Sequence, residues 1–326
     1  MNYQAFVVEE TPEGYKSKIC QLDSANLPAG EVLVRVKYSS LNYKDALSAT
    51  GNKGITKRYP HTPGIDAAGV VLESSDPTIQ PDDEVIVSGY DLGMNTAGGF
   101  AECIRVPAEW VVKKPDGLTL KEAMIIGTAG FTAAISVNRL QQLVQPKDGP
   151  IIVSGATGGV GSIALNMLSQ LGYTTVALSG KSEEHDFLRS LGANTVLSRE
   201  ELLGMDDRPL YSAQYAGGID TVGGEVLVRI LKSTQPNGAV TTCGSVASTT
   251  LNLNVFPFIL RAVTLIGISA QNYPTEPRRA LWKELAGALK PVKLMDLHRE
   301  IGLHELPAAI EDILKGKLKG RTLIRI

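Results

Sequence analysis

The chain has 326 residues, of which 43% are hydrophobic and 20% charged, and its formal net charge is −2. That length accommodates two domains with cores of their own, while that charge supplies neither a basic footprint for nucleic acid nor a polybasic membrane patch. The cysteines, Cys20, Cys103 and Cys243, stand far apart and read as reduced thiols of a cytoplasmic protein. With no C-x-x-C pair and four scattered histidines, no metal site is expected.

The first six residues, Met1-Asn2-Tyr3-Gln4-Ala5-Phe6, carry no charged leader followed by an apolar core, so no secretion signal is expected. No apolar run reaches about eighteen residues, so no bilayer-spanning segment is expected either. From residue 1 to about residue 120, short β-rich runs at 4–8, 31–38, 67–72, 84–87 and 101–106 alternate with turns such as Pro28-Ala29-Gly30. Such spacing predicts a small barrel-like β domain. Two segments within it carry polar groups that look placed, Leu41-Asn42-Tyr43-Lys44-Asp45 and Pro63-Gly64-Ile65-Asp66.

A helix-like stretch follows at 120–126. It leads into Gly127-Thr128-Ala129-Gly130, whose small residues permit close approach to their neighbours. Next comes a run of four β-prone residues, Ile151-Ile152-Val153-Ser154, then a glycine-rich turn and a helix. Along that helix Val160, Ile163, Ala164, Met167, Leu168 and Leu171 recur at steps of three and four. A second apolar run at 174–178 completes a βαβ unit. Ala156-x-Gly158-x-x-Gly161 stands in register with the dinucleotide fingerprint. Gly158 would let backbone approach a pyrophosphate and Gly161 would let the helix pack on the strand. Thr157, Gly158, Gly159, Val160 and Gly161 are therefore the expected phosphate-binding residues, at the positive end of the helix.

An NAD site usually offers a carboxylate at the end of the second strand. This chain offers Ser179-Gly180-Lys181, which would attract a 2′-phosphate rather than repel it. Arg199 follows the third apolar run and reaches for the same corner, although Glu183 and Glu184 lie close by. NADPH is the expected cofactor. Further alternation of strands and helices to about residue 270 predicts a doubly wound parallel sheet, so the fold class is α/β. Ligands in such sheets sit at the carboxyl ends of the strands, which places Val222-Gly223-Gly224, Cys243-Gly244-Ser245 and Ser269-Ala270-Gln271 at the cofactor. Helices at 278–289 and 307–315 and a strand at 322–326 form a tail expected to return to the N-terminal domain.

Several motifs resemble a known family in order along the chain. They are Ser40-Leu41-Asn42-Tyr43-Lys44-Asp45, Pro63-Gly64-Ile65-Asp66-Ala67-Ala68-Gly69, Gly127-Thr128-Ala129-Gly130-Phe131-Thr132-Ala133, the glycine turn, Ser179-Gly180-Lys181, Ile219-Asp220-Thr221-Val222-Gly223, Pro257-Phe258-Ile259-Leu260-Arg261 and Gly320-Arg321-Thr322-Leu323. The chain resembles zinc-free medium-chain dehydrogenases/reductases, in the quinone-oxidoreductase-like branch that includes bacterial acrylyl-CoA reductases. Gly64-Ile65-Asp66 stands where the zinc enzymes of that superfamily carry G-H-E.

The resemblance implies a GroES-like catalytic domain over residues 1–122 and a Rossmann domain over 123–270, with a return to the catalytic domain over 271–326. It also implies a homodimer joined through the Rossmann sheet, and reduction of a carbon–carbon double bond beside a carbonyl. Tyr43, Ile259, Ala270 and Arg321 join the cofactor residues on the same ground. Hydride addition to an enone or enoyl thioester drives charge onto the carbonyl oxygen, so a donor is needed there and a proton must follow. Tyr43 and Asn42 are the expected donors, with Asp66 as a further cleft candidate, although its place after Pro-Gly suits simple bonding of turn backbone more. Lys44 and Asp45 read as a surface ion pair. Enoyl-CoA, enone and quinone all remain open as substrates, as does a non-catalytic NADPH-binding sensor.

Overall fold

Residues 1–204 and 206–326 are described by a computed structural model. They form two compact units, Met1–Thr128 with Ala270–Ala288 and Leu294–Ile326, and Ala129–Ser269 with Leu289–Lys293.

The first unit opens with an antiparallel hairpin of β1 (Asn2–Thr11) and β2 (Gly14–Asp23). β1 buries Ala5, Phe6, Val7 and Val8. β2 buries no residue fully, and its run Tyr15-Lys16-Ser17-Lys18 lacks the apolar alternation that marks a half-buried strand, so the sequence pattern misses it. Then come β3 (Val32–Leu41), α1 (Tyr43–Ala49), β4 (Asp66–Ser74), β5 (Glu84–Ser88), β6 (Cys103–Val106) and β7 (Val111–Lys113). α2 (Leu120–Gln141) runs on past the expected 126 but breaks at Gly127, where φ is 49° and ψ −160°. Its length and composition would suit a bilayer, yet 83% of its apolar window is buried in the fold, as in the core helix of a globular protein.

The second unit follows the expected alternation. β8 (Ile151–Ser154), α3 (Gly159–Gln170), β9 (Thr175–Ser179), α4 (His185–Ser190), β10 (Thr195–Ser198) and α5 (Arg199–Leu203) form its first half. β11 (Tyr215–Asp220), α6 (Gly224–Ser233), β12 (Thr234–Thr242), α7 (Phe256–Arg261) and β13 (Thr264–Gly267) form the second. The strands pair in parallel in the order β10-β9-β8-β11-β12-β13. The order reverses at β8, whose four residues are all buried, as a central parallel strand requires.

The chain ends in the first unit with α8 (Thr275–Leu285), β14 (His298–Gly302), α9 (Leu306–Leu314) and β15 (Arg321–Arg325). β15 lies between β14 and β3 in the order β14-β15-β3-β4-β5-β7, with β6 on β3. Thr322 faces Leu41 across the β15–β3 ladder, which brings the last strand beside the entrance to α1.

Arg278 on α8 fastens the segment that re-enters this unit. It is 1% exposed and donates to the carbonyls of Ser88, Ala270, Gln271 and Tyr273. Its guanidinium lies 4.5 Å from the centroid of the Tyr90 ring, which stacks in turn on Trp110. Arg278→Ala leaves these carbonyls without their donor, so a loss of about 3 kcal/mol is expected. Urea titration should show it as a lower midpoint at unchanged m.

Candidate active site and cofactor cradle

In the first unit the site is built around Asp66, the first residue of β4, which is fully buried. Its Oδ2 accepts from Ser40 Oγ at 2.7 Å, from Asn42 Nδ2 at 2.8 Å and from Thr128 N at 3.0 Å. Its Oδ1 accepts from Thr128 Oγ1 at 2.7 Å. The kink at Gly127 makes the Thr128 contact possible by releasing that N–H from the helix. Only glycine fits there, because a Cβ would lie 2.7 Å from both Asp66 Oδ2 and Ser40 Oγ.

Arg321 closes the network from β15. It is 3% exposed and donates from Nε to Ile125 O, from Nη1 to Asn42 Oδ1 and Leu41 O, and from Nη2 to Ser40 Oγ. Its Nη2 lies 3.8 Å from Asp66 Oδ2. This corrects the expectation that Arg321 clamps a ligand, since its guanidinium donors are turned on the protein. Asp66 likewise touches protein groups and acts by positioning them. Asn42 presents its amide to Ser40 O, Asp45, Asp66 and Arg321, so the amide group too is engaged inward.

Lys44 and Asp45 are not a surface ion pair. Asp45 is fully buried and accepts from the backbone N–H groups of Ile65 and Asn42, both at 2.8 Å. Burial, reinforced by the charge of Asp66, pushes its carboxyl up to about 7. Lys44 donates instead to Gln271 Oε1 at 2.7 Å. Tyr43 stays at the surface, 37% exposed, and its hydroxyl has no hydrogen-bond partner among the described residues.

In the second unit the expected cofactor residues converge at the carboxyl ends of the strands. After β8 the chain turns at Gly155, whose φ is 56°. Ala156 holds the first fingerprint place, and the residue before it makes the turn. A Cβ on Gly161 would lie 2.4 Å from Gly155 O, so glycine lets α3 pack against the turn. Gly158 caps α3 without a side-chain bond, and the N–H groups of Gly159, Val160 and Gly161 lie in the first turn, where a helix has no internal acceptor for them. Thr157 is buried within this turn.

After β9, Ser179 Oγ accepts from Lys181 N at 3.0 Å and shapes the corner. The Arg199 guanidinium lies over Gly180, 3.0 Å from where a Cβ would stand, and has no acidic partner among the described residues. These open N–H groups and this free cation fit the diphosphate and 2′-phosphate of a dinucleotide. Ser245 is exposed in the loop after β12, which folds over Gly223. Ile259 is 67% exposed on α7, where its N–H bonds Val255 O, and Ala270 follows the end of β13.

The sequence reading left Asp220 without a role. This buried residue at the end of β11 accepts from Ser154 Oγ, Thr242 Oγ1 and the N–H groups of Val222 and Gly223, tying three strand ends together. An aspartate closing an apolar strand just before two glycines is the signal that was available. Nearby, burial and then the charge of Asp220 push the Cys243 thiol up to about 12.

Among the described residues no group of three or more His, Cys, Asp or Glu is arranged to hold a metal. The family model for the alcohol dehydrogenase GroES-like domain matches residues 28–116, and that for zinc-binding dehydrogenases matches 159–287. The chain is 40% identical to the acrylyl-CoA reductase AcuI of Ruegeria pomeroyi over 99% of both chains. It is 41% identical over 99% of both chains to YhfP of Bacillus subtilis, which bears the name of a quinone oxidoreductase. The YhfP structure with NAD bound has a TM-score of 0.97 over 100% of both chains. The YhdH oxidoreductase of Salmonella enterica in complex with NADP is 42% identical, with a TM-score of 0.96 over 99% of both chains.

Asp45 makes the fold sensitive to pH. A buried carboxyl with a raised pKa holds its proton in the folded state after the unfolded chain has lost it, so its stabilisation is present at low pH and declines as pH rises through about 7. The melting temperature of the wild type relative to Asp45→Asn should therefore fall between roughly pH 4 and pH 7, as differential scanning fluorimetry across that window would show. A chain with these two domains and these relatives belongs to the zinc-free medium-chain dehydrogenases/reductases, in the branch of the acrylyl-CoA reductases and quinone oxidoreductases.

Proposed function

We propose that the protein is an NADPH-dependent oxidoreductase that reduces a carbon–carbon double bond conjugated to a carbonyl, with acryloyl-CoA or a related enoyl thioester or enone as acceptor. The observation that carries the cofactor is the free Arg199 guanidinium over Gly180, beside a helix start whose N–H groups are open. Relatives solved with NADP bound support it, and so does the acrylyl-CoA reductase among the relatives.

Bound NADPH supplies the hydride. Thr157–Gly161 would hold its diphosphate, and Ser179, Lys181 and Arg199 its 2′-phosphate. The first unit meets the acceptor. Asp66 and Arg321 fix Asn42, and Asn42 fixes the start of α1, so Tyr43 projects from a rigid base. The exposed Tyr43 hydroxyl gives a proton to the acceptor after charge has passed to the carbonyl oxygen, and the phenolate left behind takes a proton from solvent. No step uses a metal.

The protein is further read as a soluble cytoplasmic homodimer. β13 is the edge of its sheet, and Val255, Ile259 and Leu260 stand exposed on and just before α7, the helix that precedes it. An open edge flanked by apolar side chains favours pairing with a second copy.

The test is NADPH oxidation with acryloyl-CoA, crotonyl-CoA, a small enone and a benzoquinone side by side, with NADH as control. Thioester or enone turnover is expected. Quinone turnover with the others inert would make the protein a quinone reductase, and NADPH binding without oxidation would make it a sensor. Tyr43→Phe should lower kcat about 100-fold. Arg199→Ala should weaken NADPH binding about 10- to 100-fold while leaving NADH unchanged, read by fluorescence titration.

A further inference from the structure

The place of Lys44 opposes a lysine on two counts. It is the second residue of α1, where a helix favours anions over cations. Its side chain is half-buried, and burial draws its ammonium below the ordinary lysine value, with the charge of Asp45 acting the other way. Asp45 itself is committed to Ile65 N and Asn42, so no carboxylate contact offsets the burial. The partner of the ammonium is a neutral amide oxygen, Gln271 Oε1, at 2.7 Å.

The backbone of Gln271 is held firmly. Gln271 O accepts from Tyr90 N at 2.7 Å and from Arg278 Nη2 at 3.1 Å. Arg278 is itself gripped by Ser88, Ala270 and Tyr273 and covers the Tyr90 ring. The side-chain amide that meets the ammonium is thus carried on an anchored stretch of backbone. Gln271 takes one of the three donors of Lys44, and no other protein acceptor among the described residues takes the rest. Its neighbours in the site differ, since the side-chain donors of Ser40, Asn42 and Arg321 are turned on the protein.

We propose that Lys44 is a further catalytic residue, whose ammonium donates a hydrogen bond to the carbonyl oxygen of the acceptor, with Gln271 as its positioning residue. This rests on the reductase reading above. As hydride forms a bond to the β-carbon, the electron pair of the double bond moves toward the oxygen, giving an enolate. A donor fixed at that oxygen stabilises the charge as it develops. The α-carbon then takes a proton from Tyr43, the carbonyl re-forms, and Lys44 keeps its protons throughout.

The acceptor assay on the wild type comes first, and if no acceptor is reduced the reductase reading fails before Lys44 is tested. With an active wild type, Lys44→Met should lower kcat about 100-fold. Its NADPH affinity should be unchanged and its melting temperature equal or higher, because a partly buried charge without a counter-ion has been removed. Lys44→Arg should recover part of kcat and move the alkaline limb of the kcat profile upward, since a guanidinium keeps its proton. Gln271→Leu should lower kcat with NADPH affinity unchanged. The proposal is overturned if Lys44→Met keeps kcat within about twofold. It is overturned equally if that variant loses activity and melting temperature together, or if Lys44→Arg recovers none of the lost kcat.

Discussion

A carboxylate taken out of water must find donors for both oxygens or lose its charge. Asp66 meets that demand with Ser40, Asn42 and Thr128, and Arg321 completes the set as a buried cation at 3.8 Å. Each partner comes from a different element: the end of β3, the entrance to α1, the break in α2 and the start of β15. Once the four are gathered, the backbone from 40 to 45 has little freedom, and Tyr43 and Lys44 inherit their places from it. Burial keeps the guanidinium of Arg321 below its ordinary value, with Asp66 and then Asp45 opposing the shift, so the cation is held by the carboxylates around it.

The two units place their free cations differently. In the second, Arg199 stands over Gly180 without an acidic partner among the described residues. In the first, Arg321 is absorbed into the interior, and the half-buried Lys44 remains with donors to spare. On the reading proposed above, one unit would recognise a permanent anion, while the other would answer charge that exists only during reaction. The latter has to be rigid, because a donor that must reorganise gives up much of its benefit.

What the sequence discloses follows from the range of the interactions. The glycine turn, the parallel alternation and Arg199 are legible because the fingerprint lies within about thirty residues and its geometry is local. Asp45 and Arg321 are misread for the opposite reason. Whether a charged residue points outward depends on what arrives to meet it, and Arg321 meets Ser40 across 281 positions. Arg278 shows the same blindness, since its carbonyl partners include one 190 positions away. β2 escapes because its exposed strand carries lysines and serine where the alternation should be. Gly127 is the intermediate case. A small-residue cluster is visible, but its purpose appears only when Asp66 is seen against it.

The place of β15 in the first sheet bears on how the molecule is made. The second unit is drawn mostly from one continuous stretch, Ala129–Ser269, while the first needs both ends of the chain. During synthesis the nucleotide half can therefore complete most of its sheet while β3 still waits for a neighbour. Arg321 belongs to β15, far along the chain from Asp66, and until it is in place Asp66 lacks its counter-ion. Closing the reactive centre therefore depends on a contact of very large sequence separation, the kind that forms slowly.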